Sequence, residues 1–177
     1  MKHVKKPSNN LSKLSWEEIG LLCEGLSLAS VPMRSATQGI NDEFSLGPRG
    51  AWILRLVSHR RFYPLDLTKI FRIGRSLITV ELARLTDAGL IGYEKSKADG
   101  RRVELTLTPL GKVVSKRVQQ ELTRFITERF ASYSREELLL CSRMLCEFRS
   151  TPENDGDEPW HLLNLNKSET KKKPTLK

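Results

Sequence analysis

The sequence predicts a mainly α (α+β) fold: a winged helix-turn-helix set between N- and C-terminal helices that form a helical dimerisation region. Three observations predict it. The run Leu65 to Thr108 reads as a short helix, a tight turn at Arg72-Ile73-Gly74, a second helix from about Arg75 to Ala88 stopped by Gly89, and two extended segments joined by a basic loop. Apolar residues recur at helical spacing on both sides of that run, over stretches too long for a compact winged module to cover. The charge excess is local: of 30 Lys plus Arg and 21 Asp plus Glu, 15 and 6 lie between Arg49 and Arg117, which leaves 15 of each sign elsewhere. A basic segment of this kind suits a polyanion, since phosphate neutralisation supplies most non-specific affinity for DNA. The alternative is a surface kept soluble by its charge.

With 177 residues, 38% of them hydrophobic, the chain can bury the core of one domain with appendages. No apolar run nears the roughly 18 residues of a membrane span, and the start MKHVKKPSNN lacks the apolar segment of a secretory signal. A cytoplasmic protein with no membrane partner is expected. Cys23, Cys141 and Cys146 form no Cys-x-x-Cys pair, so reduced, mostly buried thiols are expected rather than disulfides or a zinc cluster. His3, His59 and His161 fall in no metal-ligand spacing, and neither a nucleophile elbow nor a phosphate loop appears. No catalytic residue, metal or cofactor is expected, and the chain is not read as an enzyme.

Taken in order, residues 1–14 form a disordered basic tail. Ser15-Trp16-Glu17-Glu18 is a capping box, and Ile19, Leu22, Leu26, Ala29 and Met33 continue it as a long first helix, kinked or interrupted by Pro32 and stopped at Gly39 after Gln38. Gly47-Pro48 opens the next helix, whose broad apolar face carries Ala51, Trp52, Leu54, Leu56 and Val57 to an end near His59. Arg60 to Tyr63 connect it to the short helix begun by Pro64. After the two strands, Leu90 to Lys95 and Val103 to Leu107, Thr108-Pro109 is an N-cap with proline at the first helical position. Val114, Val118, Leu122, Phe125 or Ile126, and Phe130 mark the helix that follows. Ser134-Arg135-Glu136-Glu137 caps a last helix through Leu138, Cys141, Leu145 and Phe148. Residues 150–177 read as a flexible C-terminal tail. Residues 15–46 and 109–149 are the expected dimerisation helices and 47–108 the DNA-binding part.

Within the second helix of the helix-turn-helix, Ile78, Leu82 and Leu85 fall at i, i+4 and i+7 and should pack inward. That leaves Arg75, Ser76, Leu77, Thr79, Val80 and Ala83 outward, with Arg84 at an edge. Arg75 suits a phosphate or a guanine edge, Ser76 and Thr79 a phosphate or base, and Leu77 and Val80 thymine methyls. So apolar a reading face implies that shape contributes to specificity. In the loop, Lys97, Asp99, Gly100, Arg101 and Arg102 make a basic turn, and an arginine at its tip suits the narrow minor groove. Asp99 is placed to hold that arginine by a bidentate pair.

The run from about Gly47 to Gly111 resembles the winged helix-turn-helix of the multiple-antibiotic-resistance regulator (MarR) family. The residues that carry the resemblance are RSLITVELARLTDAGLI, Asp99-Gly100-Arg101, and Leu107-Thr108-Pro109-Leu110-Gly111, with the family's spacing between the wing arginine and the LT-x-x-G helix start. The family's Asp-Arg-Arg motif maps onto Asp99, Gly100 and Arg101, glycine replacing its first arginine. Val80 stands where the family often has arginine, and Glu81 where an apolar residue is usual. The resemblance implies a homodimeric transcription regulator, most often a repressor released by a small molecule.

The function expected is a homodimer on a pseudo-palindromic operator in double-stranded DNA, with half-sites roughly 10 bp apart. A small, aromatic or acidic effector would enter the cleft between the helical region and the winged module, with Met33, Arg34, Trp52, Arg55 and His59 as its candidate lining. Two alternatives stand beside this: an architectural DNA-binding protein without effector control, and a thiol-switched regulator using Cys23. The sequence LLCEGL offers Cys23 no basic neighbour to favour a thiolate, and Glu24 opposes one.

Overall fold

The structure is a computed structural model, and it describes residues 14–96 and 102–149. Eight helices and one two-stranded sheet make up the described fold: α1 Trp16–Leu28, α2 Ser30–Ser35, α3 Gln38–Glu43, α4 Gly50–His59, α5 Pro64–Phe71, α6 Arg75–Asp87, β1 Ile91–Lys95, β2 Val103–Leu107, α7 Pro109–Arg129 and α8 Arg135–Arg149. The expected tails at 1–14 and 150–177 fall, apart from Leu14, outside the described residues.

The capping signals act where the sequence puts them. Ser15 accepts from the Glu18 amide while Glu18 accepts from the Ser15 amide, and Ser134 and Glu137 repeat the exchange at α8. Of the two effects expected of Pro32, a kink or an interruption, the structure shows the interruption, between α1 and α2. The helix breaks at Ala29, before Pro32, because a proline has no N–H to give the carbonyl four residues back and its ring collides there; that carbonyl belongs to Leu28, the last residue of α1. Pro32 instead sits in the first turn of α2. Gly39 does not stop a helix but lies inside α3, which reforms to bury Ile40 and Asn41. Asn41 then serves the next element, its side-chain oxygen accepting from the Ala51 amide in the first turn of α4 at 3.1 Å.

Helix α4 is the centre of the core. It buries Ala51, Ile53, Leu54 and Val57 against α7 and β2, and each of the three larger side chains contributes roughly 1.5–3 kcal/mol by leaving water. Helix α6 lays Ile78, Leu82 and Leu85 on α4, α5 and β1. Strands β1 and β2 pair antiparallel from Ile91–Leu107 to Lys95–Val103, and Phe62, from the α4–α5 connection, adds a bridge to Leu105 with a 2.8 Å amide bond.

The outer helices behave differently. α1 buries no residue, and Trp16 remains 79% exposed. Cys23 and Cys141 are exposed and Cys146 is partly so, which corrects the expectation of mostly buried thiols. The reason is that α1 and α8 have apolar faces for which the other described residues supply little to pack against.

The start of α7 closes the fold. The Thr108 hydroxyl donates to the Gly89 carbonyl at 2.6 Å and accepts from the Gly111 amide at 2.9 Å, while the Thr108 amide donates to the Leu90 carbonyl at 3.1 Å. Gly111 faces Leu90 so closely that a Cβ there would stand 1.9 Å from the Leu90 carbonyl oxygen. Alanine in place of glycine gains up to about 1 kcal/mol of helix propensity, but overpacking against backbone costs about 3 kcal/mol and outweighs it. Gly111→Ala should therefore lower the unfolding free energy by about 2 kcal/mol in urea; an unchanged midpoint would mean that α7 does not dock on Leu90 this tightly.

Candidate nucleic-acid interface

Helix α6 presents two chemically distinct faces. Ile78, Leu82 and Leu85 are buried, whereas Arg75, Ser76, Leu77, Thr79, Val80, Ala83 and Arg84 are exposed. The Thr79 hydroxyl donates to the Arg75 carbonyl at 2.9 Å, so what it offers outward is an acceptor and a methyl group. The turn before α6 is set by Arg72, which takes the left-handed conformation at φ 51°, with the Ile73 amide donating back to the Thr68 carbonyl.

The wing's legs are described and its tip is not: Lys97, Asp99, Gly100 and Arg101 lie outside the described residues. At its outer end the Ser96 amide donates to the Arg102 carbonyl at 2.9 Å, which joins the two legs. The Arg102 guanidinium lies over the Tyr63 ring, 3.7 Å from its centroid. Beneath it Glu104, 5% exposed, accepts from the Ser96 hydroxyl at 2.5 Å and the Tyr63 hydroxyl at 3.2 Å, and pairs with Arg61 at 3.3 Å. These contacts, the Ser96 hydrogen bond first, hold the Glu104 carboxyl below its ordinary pKa.

A second buried carboxylate serves α6. Glu81, 5% exposed, reaches the loop before α4, where one oxygen lies 3.5 Å from Arg49 and the other has no hydrogen-bond partner. Gly47 makes the space: a Cβ there would stand 2.2 Å from the Glu81 carboxylate. The helical series Ile78, Glu81, Leu82, Leu85 carried the signal for this burial, since Glu81 falls at i+3 from Ile78 and four before Leu85. Tyr63, Ser96 and Glu104 carried none, because their meeting depends on the tertiary fold.

The proposed effector residues divide between two elements. Trp52 and Arg55 are half-buried and His59 exposed, on one face of α4, with the His59 ring nitrogen 2.8 Å from the Arg55 carbonyl. Met33 is half-buried on α2, and Arg34 donates to Ser30 at 3.3 Å on the same helix. A groove along α7, lined by Lys116, Gln119, Gln120, Thr123, Arg124 and Thr127, includes none of the five. Among the described residues no group of three or more His, Cys, Asp or Glu comes together, and no helix is long and apolar enough to cross a membrane.

Replacing Gly47 by alanine should cost about 1–3 kcal/mol by pushing Glu81 from its niche. In a Glu81→Ala background most of that cost should vanish, a coupling of about 1 kcal/mol or more across the four-variant cycle in urea. Additive costs would show that the carboxylate does not occupy the space beside Gly47.

A scan of the sequence against protein-family models finds no match, and neither does a search of curated proteins. The fold does match solved structures. NadR in complex with 4-hydroxyphenylacetate superposes with a TM-score of 0.62 at 26% identity, over 82% of this chain and 99% of that one. The transcriptional regulator BldR from Sulfolobus solfataricus gives 0.60 at 19%, over 76% and 96%. A MarR transcriptional regulator from Methanosarcina mazei Go1 gives 0.61 at 14%, over 73% and 94%. The chain thus shares its fold with solved transcriptional regulators of the MarR type.

Proposed function

We propose that the chain is a sequence-specific, DNA-binding transcriptional regulator that works as a homodimer on a pseudo-palindromic operator in double-stranded DNA. The observation that carries this reading is the division of α6: three leucine and isoleucine side chains buried, and Arg75, Ser76, Leu77, Thr79, Val80 and Arg84 turned outward beside a basic wing. A helix so exposed fits a major groove, and the wing, whose sequence carries Lys97, Arg101 and Arg102, suits the minor groove beside it.

The dimer reading is supported by what the single chain leaves uncovered. α1 exposes Trp16, Leu21 and Leu22, and α8 exposes Leu140, Met144 and Leu145. A pairing of residues 15–46 and 109–149 with their copies about a two-fold axis covers both faces and spaces two α6 helices for successive half-sites.

The regulator acts as a repressor released by a small molecule. NadR, similar in fold, is solved with 4-hydroxyphenylacetate, an aromatic acid. For a ligand of that class Trp52 supplies a ring and Arg34 or Arg55 a carboxylate partner, with Met33 and His59 beside them.

Two measurements test the reading. Arg101→Ala should weaken operator binding by about 1–3 kcal/mol at fixed salt; unchanged affinity would refute the wing assignment. Sedimentation of the full chain at micromolar concentration should give a dimer, and monomer alone would remove the two-fold operator model.

A further inference from the structure

Both legs of the wing and the start of the helix-turn-helix meet at one side chain, Tyr63. Its backbone precedes α5, where its amide donates to the Asp66 carboxylate at 2.9 Å. Its hydroxyl lies 3.0 Å from Ser96, at the end of the first leg, and 3.2 Å from Glu104, in the second. Its ring carries the guanidinium of Arg102, which closes the hairpin with Ser96. Glu104 stands directly opposite Glu94 in the strand register, a like-charge pairing that disfavours this sheet on its own. The carboxylate is tolerated because Ser96, Tyr63 and Arg61 all face it. An apolar residue at 104 would pack more simply; the polar cluster instead ties both legs of the wing to the residue that precedes α5.

We infer that Tyr63 and Glu104 are positioning residues for the wing, joining it to the helix-turn-helix so that the tip arginine and the α6 surface meet DNA in a fixed relation. The inference rests on the regulator reading and goes beyond it, since neither residue is part of the DNA-facing surface proposed above. Its specific consequence is a division of labour in sequence preference. Disturbing the cluster alters preference for the base pairs under the wing and leaves preference for those under α6 in place.

The test uses the full chain and duplexes selected from a random-sequence pool. The wild type should select a two-fold core with A·T-rich flanks, and lose about tenfold in affinity when the flanks become G·C, in keeping with roughly 1–3 kcal/mol per altered base pair. In Tyr63→Phe, which keeps the ring under Arg102 but removes the hydroxyl, that flank ratio should fall to about threefold or less, with the core preference retained and the protein still folded though somewhat less stable. Ser96→Ala should do the same. Glu104→Gln, whose amide oxygen still accepts from both hydroxyls, should keep the wild-type ratio. A wild-type flank ratio in both Tyr63→Phe and Ser96→Ala, or loss of core and flank preference together in folded protein, would overturn the inference while leaving the regulator reading intact. Failure of the wild type to select any sequence would overturn the regulator reading and this inference with it.

Discussion

The junction at Thr108 constrains everything around it. Within four residues the chain must end β2, start α7 and tie both to the Gly89-Leu90 segment where α6 gives way to β1. Each hydrogen bond of Thr108 contributes only about 1 kcal/mol, and the N-cap about as much again. Geometry outweighs them: Leu90 approaches α7 through its backbone, so the close packing exists only because Gly111 has no side chain. Gly89, at φ 68°, supplies the other half by turning the chain out of α6 in a conformation that costs other residues more. The two ends of the hairpin are thereby fixed to the end of the exposed helix, and the wing springs from a rigid base.

From that base outward, the buried polar groups mark the joints between elements. Asn41 joins α3 to the first turn of α4, Glu81 joins α6 to the loop before α4, and Ser96 with Glu104 joins the wing to the connection before α5. The two carboxylates differ in kind. Glu104 has two hydroxyl donors and a cation, so most of what burial removes is returned. Glu81 has one cation at 3.5 Å and an oxygen with no partner, and such a pair adds little to stability compared with an apolar side chain of similar size. What Glu81 gains for the fold is placement: in the niche left by Gly47 it ties the rotation of α6 about its axis to the position of α4.

The sequence disclosed what is local and periodic. Both capping boxes, the proline start of α5, the glycine after α6 and the LTPLG start of α7 are contacts among residues a few positions apart, and each appears where its spacing implies. The errors have equally local causes. Pro32 interrupts the first helix as its chemistry implies, but the break falls four residues earlier, at Leu28, and Gly39 stops nothing because Ile40 and Asn41 draw their segment into the core. The Phe62 bridge and the Tyr63–Ser96–Glu104 cluster were illegible for a different reason: partners 33 and 41 residues apart carry no shared spacing, and only the docking of β2 on α4 brings them together. In the candidate interface, the outward face of α6 was legible from three buried positions, whereas the burial of Glu81 contradicts its charge and follows only from its place in the helical series.

The exposed apolar side chains of α6 and of α1 stand in different settings. On α6, Leu77 and Val80 stand among Arg75, Ser76, Thr79 and Arg84, two small patches within a polar and cationic surface. In the proposed major-groove role such patches would add methyl contact, and they are too small to make the helix stick to other proteins. On α1 the apolar residues are the greater part of the helix and none is buried. A helix of 13 residues is marginal in water when nothing packs on it, even with a complete capping box. The capping box thus specifies where α1 begins, but its persistence calls for a surface beyond what the described residues supply. In the proposed homodimer a second copy offers that surface at the stoichiometry that a two-fold operator requires, which would bind the order of the terminal helices and the spacing of the two α6 helices to one assembly step.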